Sequence, residues 1–259
     1  MTERVALVTG AGRGIGRAIA TRLAEAGAMV VCADINEASA SETAGLITKA
    51  GDRAVGRAVD VTGKADVDGL VDATVAEHGR LDVMVNNAAI IVDGPILETT
   101  EADLDRVHAV NFKGVLFGCQ AAGRVMAEQR SGSIINMASG AIDIPTPNLM
   151  CYATAKAAVA QLSRTLAMEL ATRHVRVNAI APGWIDTPMN ERHARRPDGT
   201  LDIEKQREYV EKRGKKLSPM GIPGEPDDIA FAALYLASPA AKFVTGIVMR
   251  PNGGSTMPW

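Results

Sequence analysis

The chain predicts an α/β fold: one doubly wound domain built on a seven-stranded parallel sheet. Three observations carry that prediction. Short apolar runs alternate with segments of helical period along nearly the whole chain, the pattern of successive βαβ units. A glycine-rich run, Thr9-Gly10-Ala11-Gly12-Arg13-Gly14-Ile15-Gly16, stands between the first apolar run and the first helical segment. No composition break, internal repeat or low-complexity tract divides the chain, so residues 1–259 form a single expected domain.

Residues 5–9 make the first expected strand. Residues 14–26 make the first helix, with Ile15, Ile19 and Leu23 on one face. The second strand is 29–33, and a helix follows to about residue 50. The third strand is 54–59, then a helix over 65–77 carries Val67, Leu70, Val71 and Val75 inward. Residues 81–85 are the fourth strand. Two long helices, 101–128 and 150–172, flank a fifth strand at 133–137. The sixth strand is 175–180, and the seventh, 247–250, follows a helix at 226–237. The stretch 184–226 departs from the pattern, being charged, proline-punctuated and poorly periodic. Its place after a sheet strand predicts a substrate lid, with a solvated surface excursion as the plainer alternative.

Hydrophobic residues make up 47% of the chain but aromatics only 3%, so the core must be aliphatic. A net charge of −2 offers no long-range attraction, and neither nucleic acid nor a membrane is an expected partner. No apolar run approaches the ~18 residues of a membrane span. The N-terminus turns strand-like at once, without the charged start and apolar centre of a signal peptide. Cys32, Cys119 and Cys151 are odd in number and lack metal-ligand spacing, which suits free thiols in a reducing cytoplasm. His78, His108, His174 and His193 show no paired spacing, and no metal site is expected.

Glycine between a strand and a helix lets the backbone turn tightly and approach a pyrophosphate, whose charge the helix N-terminus favours. Gly10, Arg13, Gly14, Ile15 and Gly16 are therefore candidate dinucleotide-binding residues. Asp34 closes the second strand, eighteen residues beyond Gly16. A carboxylate there accepts hydrogen bonds from ribose hydroxyls and repels a 2′-phosphate. Ile35 follows it, so no adjacent base neutralises that phosphate. NAD is the expected cofactor and NADP the less favoured one. Arg13 is the counterweight, and a helix cap is the plainer role for Asp34. Asp60-Val61 ends the third strand, where a carboxylate can accept from an adenine amine. Asn87 and Ala88 end the fourth. All lie at carboxyl ends of strands, where open α/β sheets bind ligands.

Tyr152 and Lys156 stand four residues apart, which puts both on one helix face. A secondary alcohol must lose its hydroxyl proton as its carbon gives up hydride, and the base should titrate near working pH. Tyrosine ordinarily titrates at ~10, and bringing it to ~7 takes roughly 4 kcal/mol of preference for the phenolate. Lys156 and a positive nicotinamide ring are the expected sources of that preference. Ser139, thirteen residues before Tyr152, can hydrogen-bond the substrate oxygen.

These motifs together resemble the short-chain dehydrogenase/reductase family over nearly the whole chain. The matching residues are the Thr9–Gly16 run, Asp60-Val61, Asn86-Asn87-Ala88, Asn111, Ser139, Tyr152-x-x-x-Lys156 and Pro182-Gly183 with Thr187. The resemblance implies a Rossmann fold and a catalytic tetrad of Asn111, Ser139, Tyr152 and Lys156. It implies that Lys156 also binds the nicotinamide ribose, that Asn111 holds a relay water, and that Tyr152 lies against the cofactor. It places the backbone near Pro182, Gly183 and Ile185, and the Thr187 hydroxyl, against the nicotinamide carboxamide. A homotetramer using the two long helices is implied as well. The chain departs from the family at Ala89, where glycine is frequent, and at Asn252, where aspartate is usual.

Ile142, Ile144, Pro145, Met150 and Trp184 are the expected apolar wall for a small alcohol or ketone, with Asp143 as its polar group. Three functions stay open: an NAD-dependent secondary alcohol dehydrogenase or ketone reductase, a 3-oxoacyl-(acyl-carrier-protein) reductase using NADPH, and an NAD-binding redox sensor without turnover.

Overall fold

The computed structural model describes every residue except Pro197 and Trp259. Seven strands form one parallel sheet: β1 Val5–Thr9, β2 Met29–Asp34, β3 Arg53–Ala58, β4 Val83–Asn86, β5 Gly132–Met137, β6 Val175–Ile180 and β7 Val248–Met249. Their spatial order is β3-β2-β1-β4-β5-β6-β7. The central strands are apolar at successive positions because helices cover both faces of the sheet. Register follows that burial, with Val5 opposite Met29 and Val83 opposite Ser133.

Eight α-helices accompany the strands: α1 Gly14–Glu25, α2 Glu37–Lys49, α3 Lys64–His78, α4 Glu101–His108, α5 Gly114–Gln129, α6 Met150–Leu170, α7 Ile203–Leu217 and α8 Pro226–Ala237. On one face Ala6, Val8, Val30 and Val85 meet Ile19 and Leu23 of α1 and Ile229 and Leu236 of α8. On the other, Leu7, Val31, Met84 and Ile134 meet Leu70 of α3, Met126 of α5 and Val159 of α6. The inward residues of α1 and α3 are those that the helical period selects.

Between β1 and β4 the winding reverses direction. Loops from β1 and β4 leave in opposite senses there and open a crevice at the carboxyl ends of the strands. The predicted site residues sit at the strand ends there, in the loops and helix starts that follow them, on the first turns of α6 and, for Asn111, in a π-helical turn between α4 and α5.

Two expectations are corrected. The segment expected as one helix over 101–128 is interrupted: Ala109–Lys113 is a π-helical turn between α4 and α5. The stretch 184–226 is not irregular throughout, since it contains a short 3-10 helix, Pro188–His193, and the fifteen-residue α7. Asp202 caps α7 by accepting from the Lys205 N–H.

Candidate active site

The β1–α1 turn is shaped by glycine where no other residue fits. Gly10 and Gly14 adopt φ of +63° and +57°, the left-handed region that side chains disfavour. A Cβ on Gly16 would drive into the Gly10 carbonyl and the Asn87 amide, so glycine there permits close helix–strand approach. The turn is then tied down. The Asn87 amide donates to the Thr9 and Gly10 carbonyls at 2.9 and 3.1 Å. The Arg17 guanidinium donates to the Gly12 carbonyl at 2.5 Å.

The N-terminus of α1 has no side-chain cap and no acid in its first turn, in contrast with α2, α4 and α7, which Asn36, Thr100 and Asp202 cap. Unpaired N–H groups beside a Cβ-free backbone fit a dinucleotide pyrophosphate.

Asp34 bridges two backbones. Its Oδ2 accepts from the Gly12 N–H and its Oδ1 from the Asn36 N–H, both at 3.0 Å. The cap of α2 is Asn36, so that plainer role for Asp34 is set aside. Arg13 and Ile35 are exposed on either side. Asp60 stands beyond the end of β3, with Oδ1 accepting from the Thr62 N–H and hydroxyl. Val61 turns its side chain into the core against Gly114. Asn87 and Ala88 are held by N–H donation to the Thr9 hydroxyl at 3.0 and 3.2 Å.

α6 carries Tyr152 and Lys156 in its first two turns, facing the end of β5. Lys156 is 1% exposed, its Nζ donating to the Met137 carbonyl at 2.6 Å and lying 5.7 Å from the centre of the Tyr152 ring. Burial pushes its pKa down from 10.5 to about 7. Burial also raises the Tyr152 phenol, against the smaller lowering effects of a Ser139 hydrogen bond and the Arg192 charge. The expected lowering of Tyr152 by Lys156 is therefore not present in the protein alone. Desolvation favours the neutral form of both groups.

Ser139 leaves β5 in an extended conformation, and its Oγ accepts from the Ala141 N–H at 3.2 Å. Asn111 is fully buried in the π-turn. Its side chain accepts from the Ile90 N–H and donates to the Ile90 carbonyl, each at 2.9 Å. One acceptor site and one N–H of its amide thus clamp the β4–α4 loop.

A cavity of about 540 Å³ joins these parts, reaching from Ile15 and Asn87 past Ser139, Tyr152 and Lys156 to Thr187. The Pro182-Gly183 turn braces it. Pro182 accepts from the Gly140 N–H at 2.8 Å, and a Cβ on Gly183 would meet Asn252 Cα at 2.7 Å. Ile185 is buried, its carbonyl taken by the Asn190 amide at 2.7 Å. A Cβ on Gly14 would stand 3.7 Å from that of Thr187, which links the glycine turn to the 3-10 helix.

The substrate wall differs from the expected one. Trp184 lines the cavity, while Ile142, Ile144, Pro145 and Met150 do not. Asp143 is taken by Arg250 in a two-point ion pair at 2.7 and 3.1 Å. The residues that take their place, Leu149, Met189, Arg192, His193, Tyr209 and Arg213, lie mostly in the 3-10 helix and α7. The Asp202 cap and the strong helix formers from Glu204 to Glu208 were the available signal for α7. A second cavity of about 230 Å³ shares Asp93 and Asn148 with the first and is lined by Met150, Cys151 and Pro95. Among the described residues no cluster of metal-ligating side chains occurs.

A protein-family model described as Enoyl-(Acyl carrier protein) reductase matches residues 10–256. L-2,3-butanediol dehydrogenase of Corynebacterium glutamicum is 40% identical over 258 residues, spanning 97% of this chain and 98% of its own. The 3-oxoacyl-(acyl-carrier-protein) reductase FabG of Thermotoga maritima is 37% identical over 97% of each chain. The crystal structure of a short-chain type dehydrogenase/reductase from Mycobacterium marinum aligns with a TM-score of 0.89 at 33% identity, covering 99% of this chain and 97% of that one. The chain thus belongs to the short-chain dehydrogenase/reductase family of oxidoreductases. Members of the family bind a nicotinamide dinucleotide. No helix among the described residues is long and apolar enough to cross a membrane.

Proposed function

We propose that this oxidoreductase interconverts a secondary alcohol and a ketone with NAD as cofactor, Tyr152 moving the proton. The observation that carries the reading is the placement of the buried Lys156 amine 5.7 Å from the centre of the Tyr152 ring, at the wall of the cavity beside the glycine turn. When bound, the nicotinamide supplies the hydride acceptor for oxidation and the donor for reduction.

Tyr152 takes the hydroxyl proton of the alcohol, or returns it to the ketone oxygen. Ser139 donates to that oxygen and stabilises the charge it gains. Lys156 in its cationic form stabilises the phenolate, and a second positive charge at the nicotinamide is needed to offset burial. Asn111 acts by position: its clamp on Ile90 holds the cavity wall at Ala89 and Ile91. Gly10, Arg13, Gly14, Ile15, Gly16, Asp60, Val61, Asn87, Ala88, Pro182, Gly183, Ile185 and Thr187 frame the cofactor.

Asp34 supports NAD over NADP. Its carboxylate is fixed at the Gly12 N–H, and Ile35 beside it is 75% exposed and uncharged. The similarity to FabG favours acyl reduction as a second reading. The two part on cofactor and substrate. Initial rates with NAD and NADP over secondary alcohols, cyclic alcohols and 3-hydroxyacyl thioesters decide between them. We expect NAD turnover on one alcohol class, and a loss of at least ~100-fold in kcat for Tyr152→Phe with NAD binding retained. NADP preference on thioesters would transfer the assignment to the acyl reductase. Full biological function in Tyr152→Phe would favour a sensor.

A further inference from the structure

Four of the arginines after Trp184 divide into two groups in the fold. Arg195 pairs with Glu191 at 2.8 Å and Arg196 with Asp202 at 3.2 Å. Neither lines the reaction cavity. Arg192 and Arg213 do. The Arg192 Nε donates to Asp93 at 2.7 Å and its Nη1 to the Met189 carbonyl at 2.5 Å, so Nη2 is left without a partner among the described residues. Arg213 makes no ion pair among them, and its guanidinium lies 5.5 Å over the ring of Tyr209.

The charge balance of the wall follows. Two guanidiniums face one carboxylate, that of Asp93. Burial first, and then the Arg192 and Arg213 charges, lower the pKa of His193, against the opposing charge of Asp93. The His193 ring stacks on Tyr209 at 4.7 Å. Trp184 meets the same ring edge-on at 6.1 Å. The cavity thus has a positive wall with free donors beside the aromatic rings of Trp184, His193 and Tyr209, and the proton-transfer pair lines the same cavity. A neutral alcohol leaves those donors unused. A carboxylate accepts from guanidinium donors with strong, directional hydrogen bonds.

We propose that the substrate is a secondary alcohol or ketone on a flat ring-bearing body that also carries a carboxylate, held by Arg192 and Arg213 in the cavity. The inference rests on the dehydrogenase reading, whose cavity it uses. It adds the substrate class.

The test uses the whole enzyme and two matched pairs. Rates of NAD reduction compare 4-(1-hydroxyethyl)benzoate with its methyl ester, a neutral analogue of similar shape. Binding to the enzyme with NADH, read from NADH fluorescence, compares 4-acetylbenzoate with its methyl ester. The acid should exceed the ester by about tenfold or more in kcat/KM and in affinity, the order expected for a charge-assisted contact. That ratio should fall severalfold in Arg213→Gln and in Arg192→Gln, and Arg213→Lys should keep part of it. Equal affinity of acid and ester overturns the proposal. So does an acid-to-ester ratio untouched by both substitutions, or an effect confined to the KM for NAD, which would assign the guanidiniums to the cofactor pyrophosphate. Turnover of both compounds without preference leaves the dehydrogenase reading standing and removes this one. Arginine-dependent tight binding of the acid without turnover of either compound does the reverse.

Discussion

Lys156 is an internal cation with no carboxylate beside it among the described residues. Its folded pKa of about 7 lies below the ordinary 10.5. Between those values the unfolded chain binds more protons than the folded one, so stability rises with pH across that window. The penalty is complete below about pH 7 and gone above about 10.5. Lys156→Met removes it at the cost of one donor to the Met137 carbonyl. At pH 7 the substitution should stabilise the fold by about 1–3 kcal/mol, which is several degrees in Tm for a domain of this size. It should also abolish turnover. Thermal unfolding at pH 7 and pH 10 checks the sign, because the gain must shrink at the higher pH. A loss of Tm at both would show that the lysine is a structural asset. A gain at pH 7 that shrinks at pH 10 would mean that the lysine costs stability and is kept for another reason, such as chemistry. The sequence exposed its spacing to Tyr152 plainly. It did not expose the burial, which comes from packing against β5.

At the scale of elements, strands were legible because each is buried on both faces and reads as an apolar run. α7 was not. Its apolar residues, Ile203, Tyr209, Val210 and Leu217, form too thin a stripe to set a period. The π-turn was hidden differently, since α4 and α5 flank it as one helical pattern. Its cause is tertiary: Asn111 turns inward to satisfy both backbone groups of Ile90, twenty-one residues away. π-turns occur mostly at functional sites. The buried chain from Asn86 to Asn136 to Ser163, at 2.8 and 2.9 Å, was equally illegible because its members come from β4, β5 and α6. Asn111→Ala should cost about 2 kcal/mol by leaving two partly buried backbone groups unpaired. A lowered urea midpoint with unchanged slope, together with reduced kcat, is the expected result. An unchanged midpoint would mean that the clamp carries no stability.

The whole molecule leaves apolar surface on both sides of the sheet. The chain has only four phenylalanines, and two of them, Phe231 and Phe243, are exposed. Phe243 is 99% exposed, near Ile247 and the two-residue edge strand β7. On the opposite face α6 exposes Met168. Large apolar residues exposed together mark association surfaces. Two such surfaces, each meeting its own copy, generate a closed tetramer with two kinds of two-fold interface. The homotetramer is therefore the assembly we expect, with α6 in one interface and the α8–β7 side in the other. Sedimentation should give about four times the chain mass. Phe243→Glu should reduce it to dimers by placing like charges across the two-fold axis, and Met168→Glu should weaken the other contact. The double variant should then sediment as monomer with its sheet intact by circular dichroism. A monomeric wild type, or a tetramer that tolerates Phe243→Glu, would leave these side chains without an assembly role.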